Sequence, residues 1–218
     1  MKLKEKVDIP KYTLGEELFS AISHGVGSLL SIAGLVLCIV FSAIHHNVYA
    51  VISSIIYGST SIILYTMSTL YHSLKVNNAK RVFRIIDHSS IFILIAGTYT
   101  PYCLVVLPAS LGWTIFGIEW GCAIIGIILN SIDIKKYKKI SMVLYLVMGW
   151  MIIFSFKSII NNMNIAGIYL MLAGGILYTI GAIIYGLGKK YKYMHSIFHL
   201  FVLSASILFF FSIFLYVI

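Results

Sequence analysis

Residues 195–218 read HSIFHLFVLSASILFFFSIFLYVI. From Ile197 onward the stretch contains no Lys, Arg, Asp or Glu, and as a helix it is long enough to cross the roughly 30 Å hydrocarbon core of a bilayer. Working outward from it, seven apolar runs of this kind are read in the chain: Ser20–Ile44, Val48–Leu70, Ser89–Leu107, Leu111–Ile132, Ile140–Phe156, Ile165–Leu187 and Ile197–Ile218. Of the 218 residues 60% are hydrophobic and 11% charged, and the mean hydropathy is +0.98. A soluble domain needs a more polar surface than that composition supplies. Backbone groups in lipid must be hydrogen-bonded internally, and the runs lack the alternation of barrel strands, so the spans are expected to be helices. The expected fold is an all-α integral membrane protein, a seven-transmembrane helix bundle over 20–218 preceded by an amino-terminal segment, 1–19. The first run is too long for a signal-peptide core and follows Glu16 and Glu17, which argues against a cleaved leader.

Basic residues set the expected orientation. Lys2, Lys4, Lys6 and Lys11 precede the first run, and Lys75, Lys80, Arg81 and Arg84 separate the second from the third. Lys135, Lys136, Lys138 and Lys139 fall between the fourth and fifth, and Lys189, Lys190 and Lys192 between the sixth and seventh. Lys157 alone lies on the other side, so 15 of the 16 Lys and Arg share one face. The positive-inside rule makes that face cytoplasmic, with the amino terminus inside, the carboxyl terminus outside and the chain multi-pass in the cell membrane. The net charge of +9 is accounted for by topology together with attraction of the basic loops to anionic lipid head groups. No nucleic-acid partner is expected.

Ionisable residues gather at the same face. His195 and His199 are spaced i, i+4, on one side of a helix, where two imidazoles can reach one metal ion or simply be solvated at the interface. His72 ends the second run and Asp87 precedes the third, at the same depth. Ser68 lies one turn before His72 and shares its face; it can support the site or bond back to its own helix. Glu17, Ser20 and His24 are spaced by three and four and form a polar stripe running about 10 Å inward, which either lines a site or bonds to neighbouring helices. His45 and His46 read as solvated residues of an outer turn. Cys38, Cys103 and Cys122 have no metal spacing and read as packing residues. Gly117, Gly121, Gly174, Gly175 and Gly181 are expected to let helices approach closely. Glu119, in the middle of the fourth run, has no assigned role.

Three ordered segments carry a family resemblance: Ser68-Thr-Leu-Tyr-His72, the run from Asp87 to Pro101 with the sequence DHSSIFILIAGTYTP, and His195-Ser-Ile-Phe-His199. They resemble the signature regions of the hemolysin III family, the bacterial branch of the progestin and adiponectin receptor (PAQR) superfamily, itself similar to alkaline ceramidases. The resemblance covers nearly the whole chain. It implies a zinc ion, Zn2+, held by His72, His195 and His199, with Ser68 and Asp87 beside the attacking water. In the first span the family pattern is Glu-x2-Asn-x3-His; Glu17 and His24 match it, and Ser20 stands at the Asn position.

A site of this kind fits metal-assisted hydrolysis, with Asp87 and Ser68 as catalytic residues and a membrane lipid, specifically a lipid amide, as substrate. Two other readings stay open: a receptor or sensor whose zinc is structural, and the haemolytic, pore-forming protein that the family name suggests. The last two runs are apolar around most of their circumference, which counts against a water-filled pore. A retinal-type pump would need a lysine in the last run, and none follows Lys192. The oligomeric state is left open by the sequence.

Overall fold

A computed structural model describes residues 3–45, 47–187 and 191–218. Lys2, His46, Lys189 and Lys190 lie outside the described residues. Among those described, every regular element is helical. A short helix α1 (Leu3–Lys6) precedes α2 (Leu14–Ile44), α3 (Val48–Ser73), α4 (Asn78–Pro101), α5 (Ala109–Gly149), α6 (Phe156–Asn162), α7 (Ile165–Leu187) and α8 (Met194–Tyr216). Six continuous helical stretches are long and apolar enough to cross a membrane. Large apolar side chains stand exposed on them, Leu29 at 69% and Ile183 at 62%, as expected of surfaces that face lipid rather than water.

Local chemistry decides where the helices begin. The first long helix starts at Leu14 rather than Ser20 because Thr13 and Glu16 form a capping box: the Glu16 amide donates to Thr13 Oγ1 at 3.3 Å and the Thr13 amide to Glu16 Oε2 at 2.8 Å. At about 1.5 Å per residue α2 is roughly 46 Å long. Its first turns therefore extend beyond the hydrocarbon thickness. Asn77 caps α4 by accepting from the Lys80 amide at 2.9 Å, so Lys80, Arg84 and Asp87 sit on a helix at i, i+4 and i+7 instead of in a loop. Pro101 cannot donate to the helical ladder, and the backbone passes into a π-helical turn over Tyr102–Val106.

The longest stretch, Ala109–Asn162, has 54 residues and would measure about 81 Å if straight. It is not straight. Asp133 has φ −165° and ψ 95°, outside the helical region, and its side chain accepts from the Lys136 amide at 2.8 Å, capping a new helix. Beyond it the chain doubles back: Ser141 donates to Asn130 Oδ1 at 2.7 Å, and Asn130 lies 3.5 Å from the Tyr145 hydroxyl. Residues 15 apart in one straight helix would be separated by about 22 Å. The returning arm carries Lys135–Lys139, which are helical here, passes through a 3₁₀ turn at Met151–Ser155 and ends in α6.

The helices pack in chain order, α2 on α3, α3 on α4, α4 on α5 and α7 on α8, and α2 closes the ring against α8. Lipid tails are as apolar as the side chains, so burial adds little drive here, and small residues and polar links between helices matter more. Ser28 and Thr66 share a bond of 2.8 Å and Ser42 and Ser54 one of 3.1 Å between α2 and α3. Tyr65 and Tyr178 both meet Ser206, each at 2.6 Å. Such bonds contribute about 0.6 kcal/mol each.

Three of the glycines expected at helix contacts behave otherwise. A Cβ on Gly117 or Gly121 would meet nothing within 4 Å, so these positions open onto space, and Gly175 does too. Gly174 faces the Phe209 ring, and Gly126, not singled out by its sequence context, lies directly against Phe92. Gly126→Ala should therefore force the buried Phe92 ring to move and destabilise the fold by about 1–3 kcal/mol, whereas Gly117→Ala should not. Thermal unfolding of the two variants in detergent measures the difference; equal unfolding temperatures would contradict this packing.

Candidate metal centre

Four helices bring their ends to one place. His72 is in the last turn of α3, Asp87 in the third turn of α4, His195 and His199 in the first turns of α8, and Glu17, Ser20 and His24 in the first turns of α2. The entry to α8 is fixed by Glu16. Its Oε1 accepts from the Tyr193 amide at 2.8 Å, and Tyr193 has a φ of 62°, a left-handed conformation that costs about 1–3 kcal/mol at a residue of this size. Glu16 thus caps α2 and holds the turn that launches the histidine-bearing helix. Ser196 adds a second tie, donating to the Glu16 carbonyl at 3.2 Å and sharing a 3.2 Å bond with Ser20.

The three histidines converge through their Nε2 atoms. His72 Nε2 lies 3.3 Å from His195 Nε2, which lies 3.1 Å from His199 Nε2. One ligand atom from each residue falls within 4.8 Å of the others, and all three residues are buried. Neutral imidazoles in this arrangement have a proton shortage: a single proton on the central Nε2 can satisfy only one of its two contacts. A cation between them satisfies all three. Tetrahedral coordination at about 2.0–2.1 Å places ligand nitrogens about 3.3–3.4 Å apart, close to the His72–His195 and His195–His199 separations. The triad can therefore hold a metal ion.

Each ring is oriented by a different device. His72 Nδ1 donates to Glu17 Oε2 at 2.6 Å, which fixes the tautomer and leaves Nε2 free to bind a metal, the carboxylate–histidine pattern common at metal sites. His195 is stacked on Tyr12, with centroids 4.8 Å apart and planes 11° from parallel. Burial pushes the Tyr12 phenol well above its ordinary range, so it stays neutral against the ring. His199 is stacked on His24 at 3.8 Å. The Nδ1 atoms of His195 and His199, and both nitrogens of His24, have no hydrogen-bond partner among the described residues.

Ser68, Asp87, His24, His195 and His199 all line one cavity of about 150 Å³. The Ser68 hydroxyl is turned toward the Asp87 carboxylate. Of the polar stripe on α2, Glu17 reaches His72 directly, His24 supports His199 by stacking, and Ser20 bonds to Ser196 instead of reaching the triad. Glu119 is fully buried elsewhere, with neither carboxylate oxygen partnered among the described residues.

Lys80 is the residue that counting charges for topology misreads. It is 1% exposed, donates to Glu17 Oε1 at 2.6 Å and to the Leu74 carbonyl at 2.9 Å, and lies 5.0 Å from the Tyr71 ring centroid. The available signal was its helical spacing with Arg84 and Asp87. Tyr12 gave no signal at all, because its segment has no periodicity.

Because Glu17 orients His72 rather than binding metal, Glu17→Gln should keep the site and weaken it about 10–100-fold. His72→Ala should abolish binding and lower the unfolding temperature, since metal affinity contributes to folded-state stability. Chelator competition with the purified variants measures the first and thermal unfolding the second. Unchanged metal affinity in Glu17→Gln would remove Glu17 from the site.

Comparison with known proteins places this geometry in a family. The profile described as haemolysin-III related matches residues 12–210. The chain is 41% identical over 215 residues to Hemolysin-3 of Bacillus cereus, covering 99% of this chain and 98% of the relative. It is 42% identical over 205 residues to the Hemolysin-3 homolog of Bacillus subtilis (strain 168), covering 94% and 96%. The human monocyte to macrophage differentiation factor is 29% identical over 196 residues, covering 84% of this chain and 79% of that one. No solved structure matches the chain. With its multi-pass helical fold and near full-length matches, the chain belongs to the haemolysin-III-related family.

Proposed function

We propose that the chain is a zinc-dependent hydrolase of lipid amides, similar in chemistry to a ceramidase, that works in membrane lipid homeostasis. The observation that carries the proposal is the convergence of three imidazole nitrogens, with His195 and His199 lining a cavity shared with Ser68 and Asp87. Structural zinc sites are closed by four protein ligands, whereas catalytic ones keep a position open. Among the described residues the group comprises three. Imidazole ligands suit zinc. When bound, zinc supplies a Lewis acid that makes hydroxide available near neutral pH.

The chain's own residues do the rest. Asp87 accepts the proton of the attacking water and returns it to the leaving amine. Ser68, one turn before His72, donates to the carbonyl oxygen as charge develops there. Glu17 keeps His72 in its ligand tautomer, and the apolar cavity wall receives the acyl chain.

Seven crossings of the cell membrane are the arrangement proposed, because the reversal at Asp133 divides Ala109–Asn162 into two arms. The crowding of Lys and Arg at the histidine end supports a cytoplasmic amino terminus, an external carboxyl terminus and contact of the basic residues with anionic head groups. A reporter fused after Ile218 should then be active only outside the cell; activity confined to the cytosol would reverse the orientation.

The name of the Bacillus cereus relative, Hemolysin-3, favours a second reading, in which the protein lyses membranes. Substitutions separate the two. Asp87→Asn and Ser68→Ala should retain zinc and the fold while lowering fatty-acid release from ceramides by about 10²-fold or more. The measurement pairs product release from a panel of lipid amides in liposomes with quantified zinc. Absence of metal-dependent release from every amide would sink the hydrolase and leave a sensor with structural metal. Haemolysis unchanged in His72→Ala, His195→Ala and His199→Ala would show that lysis has another origin.

A further inference from the structure

The cavity beside the histidines has two ends of different character. Along α8 it runs from His195 to Phe209, about 21 Å at 1.5 Å per residue, more than one leaflet's depth of hydrocarbon. Leu64, Leu94, Phe198 and Val202 wall this length. At the histidine end the lining changes to Asp8, Arg84, Asp87, His88, Lys138 and Tyr185. An apolar tunnel with a charged mouth has the shape and polarity of an amphiphile.

Arg84 is the unusual member of the mouth. It is 4% exposed, a burial that a guanidinium tolerates only when paired. Among the described residues its one ion pair is with Asp8, Nη1 to Oδ1 at 3.2 Å, and the Asp8 side chain is 60% exposed. The pair is close but not aligned as a hydrogen bond: neither Nη1 nor Nε of Arg84 has a hydrogen-bond partner among the described residues. Asp87 acts on Arg84 through its charge. Lys138 is also among the lining residues, its Nζ 4.9 Å from the Tyr185 ring centroid. A buried guanidinium thus faces Asp87 and a largely solvated Asp8. Moving Asp8 aside leaves a guanidinium fork open to an acid.

We propose that Arg84 binds the acidic headgroup of the lipid amide whose chain fills the cavity, and that Asp8 occupies this subsite when no lipid is bound. The inference rests on the hydrolase reading and narrows its substrate class to lipid amides that carry a carboxylate or phosphate near the amide. Arg84 is one helical turn from Asp87, so an acid held there lies near the carbonyl to be attacked. In such a substrate water adds oxygen to the acyl carbon, the C–N bond breaks, and the proton passes to the departing nitrogen, giving a fatty acid and an acidic amine.

The test uses the full chain in detergent with a matched pair of probes, N-oleoylglycine, which is anionic, and N-oleoylethanolamine, which is neutral. Affinity is read from the concentration that gives half the maximal rise in unfolding temperature, and oleate release is measured in the same samples. N-oleoylglycine should half-saturate at a concentration at least about tenfold lower, the margin expected of a charge-assisted contact. Arg84→Gln should erase the difference by weakening the anionic probe alone. Asp8→Asn, a change at an exposed side chain that keeps the fold, should tighten N-oleoylglycine several-fold and leave the neutral probe unchanged. Inorganic phosphate alone should produce no comparable shift.

Equal affinities in the unsubstituted protein, equal weakening of both probes in Arg84→Gln, or an Asp8→Asn variant with unaltered preference would each overturn the subsite. A shift with inorganic phosphate equal to that with N-oleoylglycine would make it an ion site and overturn its assignment to lipid. If Arg84→Gln fails to fold, the Asp8→Asn result decides. The two proposals fail separately: cleavage of both amides without preference removes the subsite and keeps the hydrolase, while preferential binding with no oleate released does the reverse.

Discussion

The Glu17 carboxylate, shared between His72 and Lys80 at 2.6 Å on each side, is the contact on which the polar end of the molecule depends. It joins α2, α3 and α4 at one point, and its partners are almost wholly buried, with side-chain exposures of 0% and 2%. Breaking a buried charged pair by removing one partner typically costs about 3–5 kcal/mol, because the other is left uncompensated. The carboxylate is therefore constrained from two sides, and His72 inherits that constraint. Lys80 in turn is held by the Leu74 carbonyl, just beyond the end of α3. The turn between α3 and α4 and the orientation of the first histidine are in this way parts of one network.

Neighbouring Glu16 performs the complementary task for α8. It caps its own helix and captures the Tyr193 amide, so two consecutive acids on α2 position histidines from two different helices. Adjacent residues on a helix point about 100° apart, which lets one face α3 and the other α8. The ring closure of α2 against α8 is what makes this division useful. A metal held by His72, His195 and His199 would bond α3 to α8 directly and complete a circuit whose other links are already made by protein groups.

Much of this was legible in the sequence, and the limits have a physical cause. Spacing along a helix determines which residues share a face, so the pairing of His195 with His199 and the stripe of Glu17, Ser20 and His24 could be read directly. Hydropathy and charge placed them at one end. Spacing does not say which faces meet across helices, so the partners of each residue stayed hidden: Ser20 meets Ser196, His24 stacks on His199, and Lys80 turns inward. Gly117 and Gly121 show the same limit in reverse, a close-packing pattern on a face that meets nothing. Asp133 falls between the fourth and fifth apolar runs, beside the basic residues Lys135 and Lys136. Its role as a cap, and with it the helical start of Lys135–Lys139, follows from a backbone conformation that hydropathy does not encode.

The distribution of polarity inside the bundle bears on how a haemolytic family name and a hydrolytic site can be related. A conducting pore needs polar lining from one face of the membrane to the other. Here, apart from Glu119, the buried ionisable groups among the described residues cluster at the histidine end, while the far end holds an apolar core that includes Tyr57, Tyr102, Ile115, Ile168 and Ile213. The interior is open at one end in chemical terms and sealed at the other. An interior built this way offers an amphiphile both of the environments it requires. That asymmetry favours action on lipid molecules over conduction between them, and it makes the headgroup end, where Arg84 and the histidines lie within a few helical turns of one another, the place where selectivity and chemistry would meet.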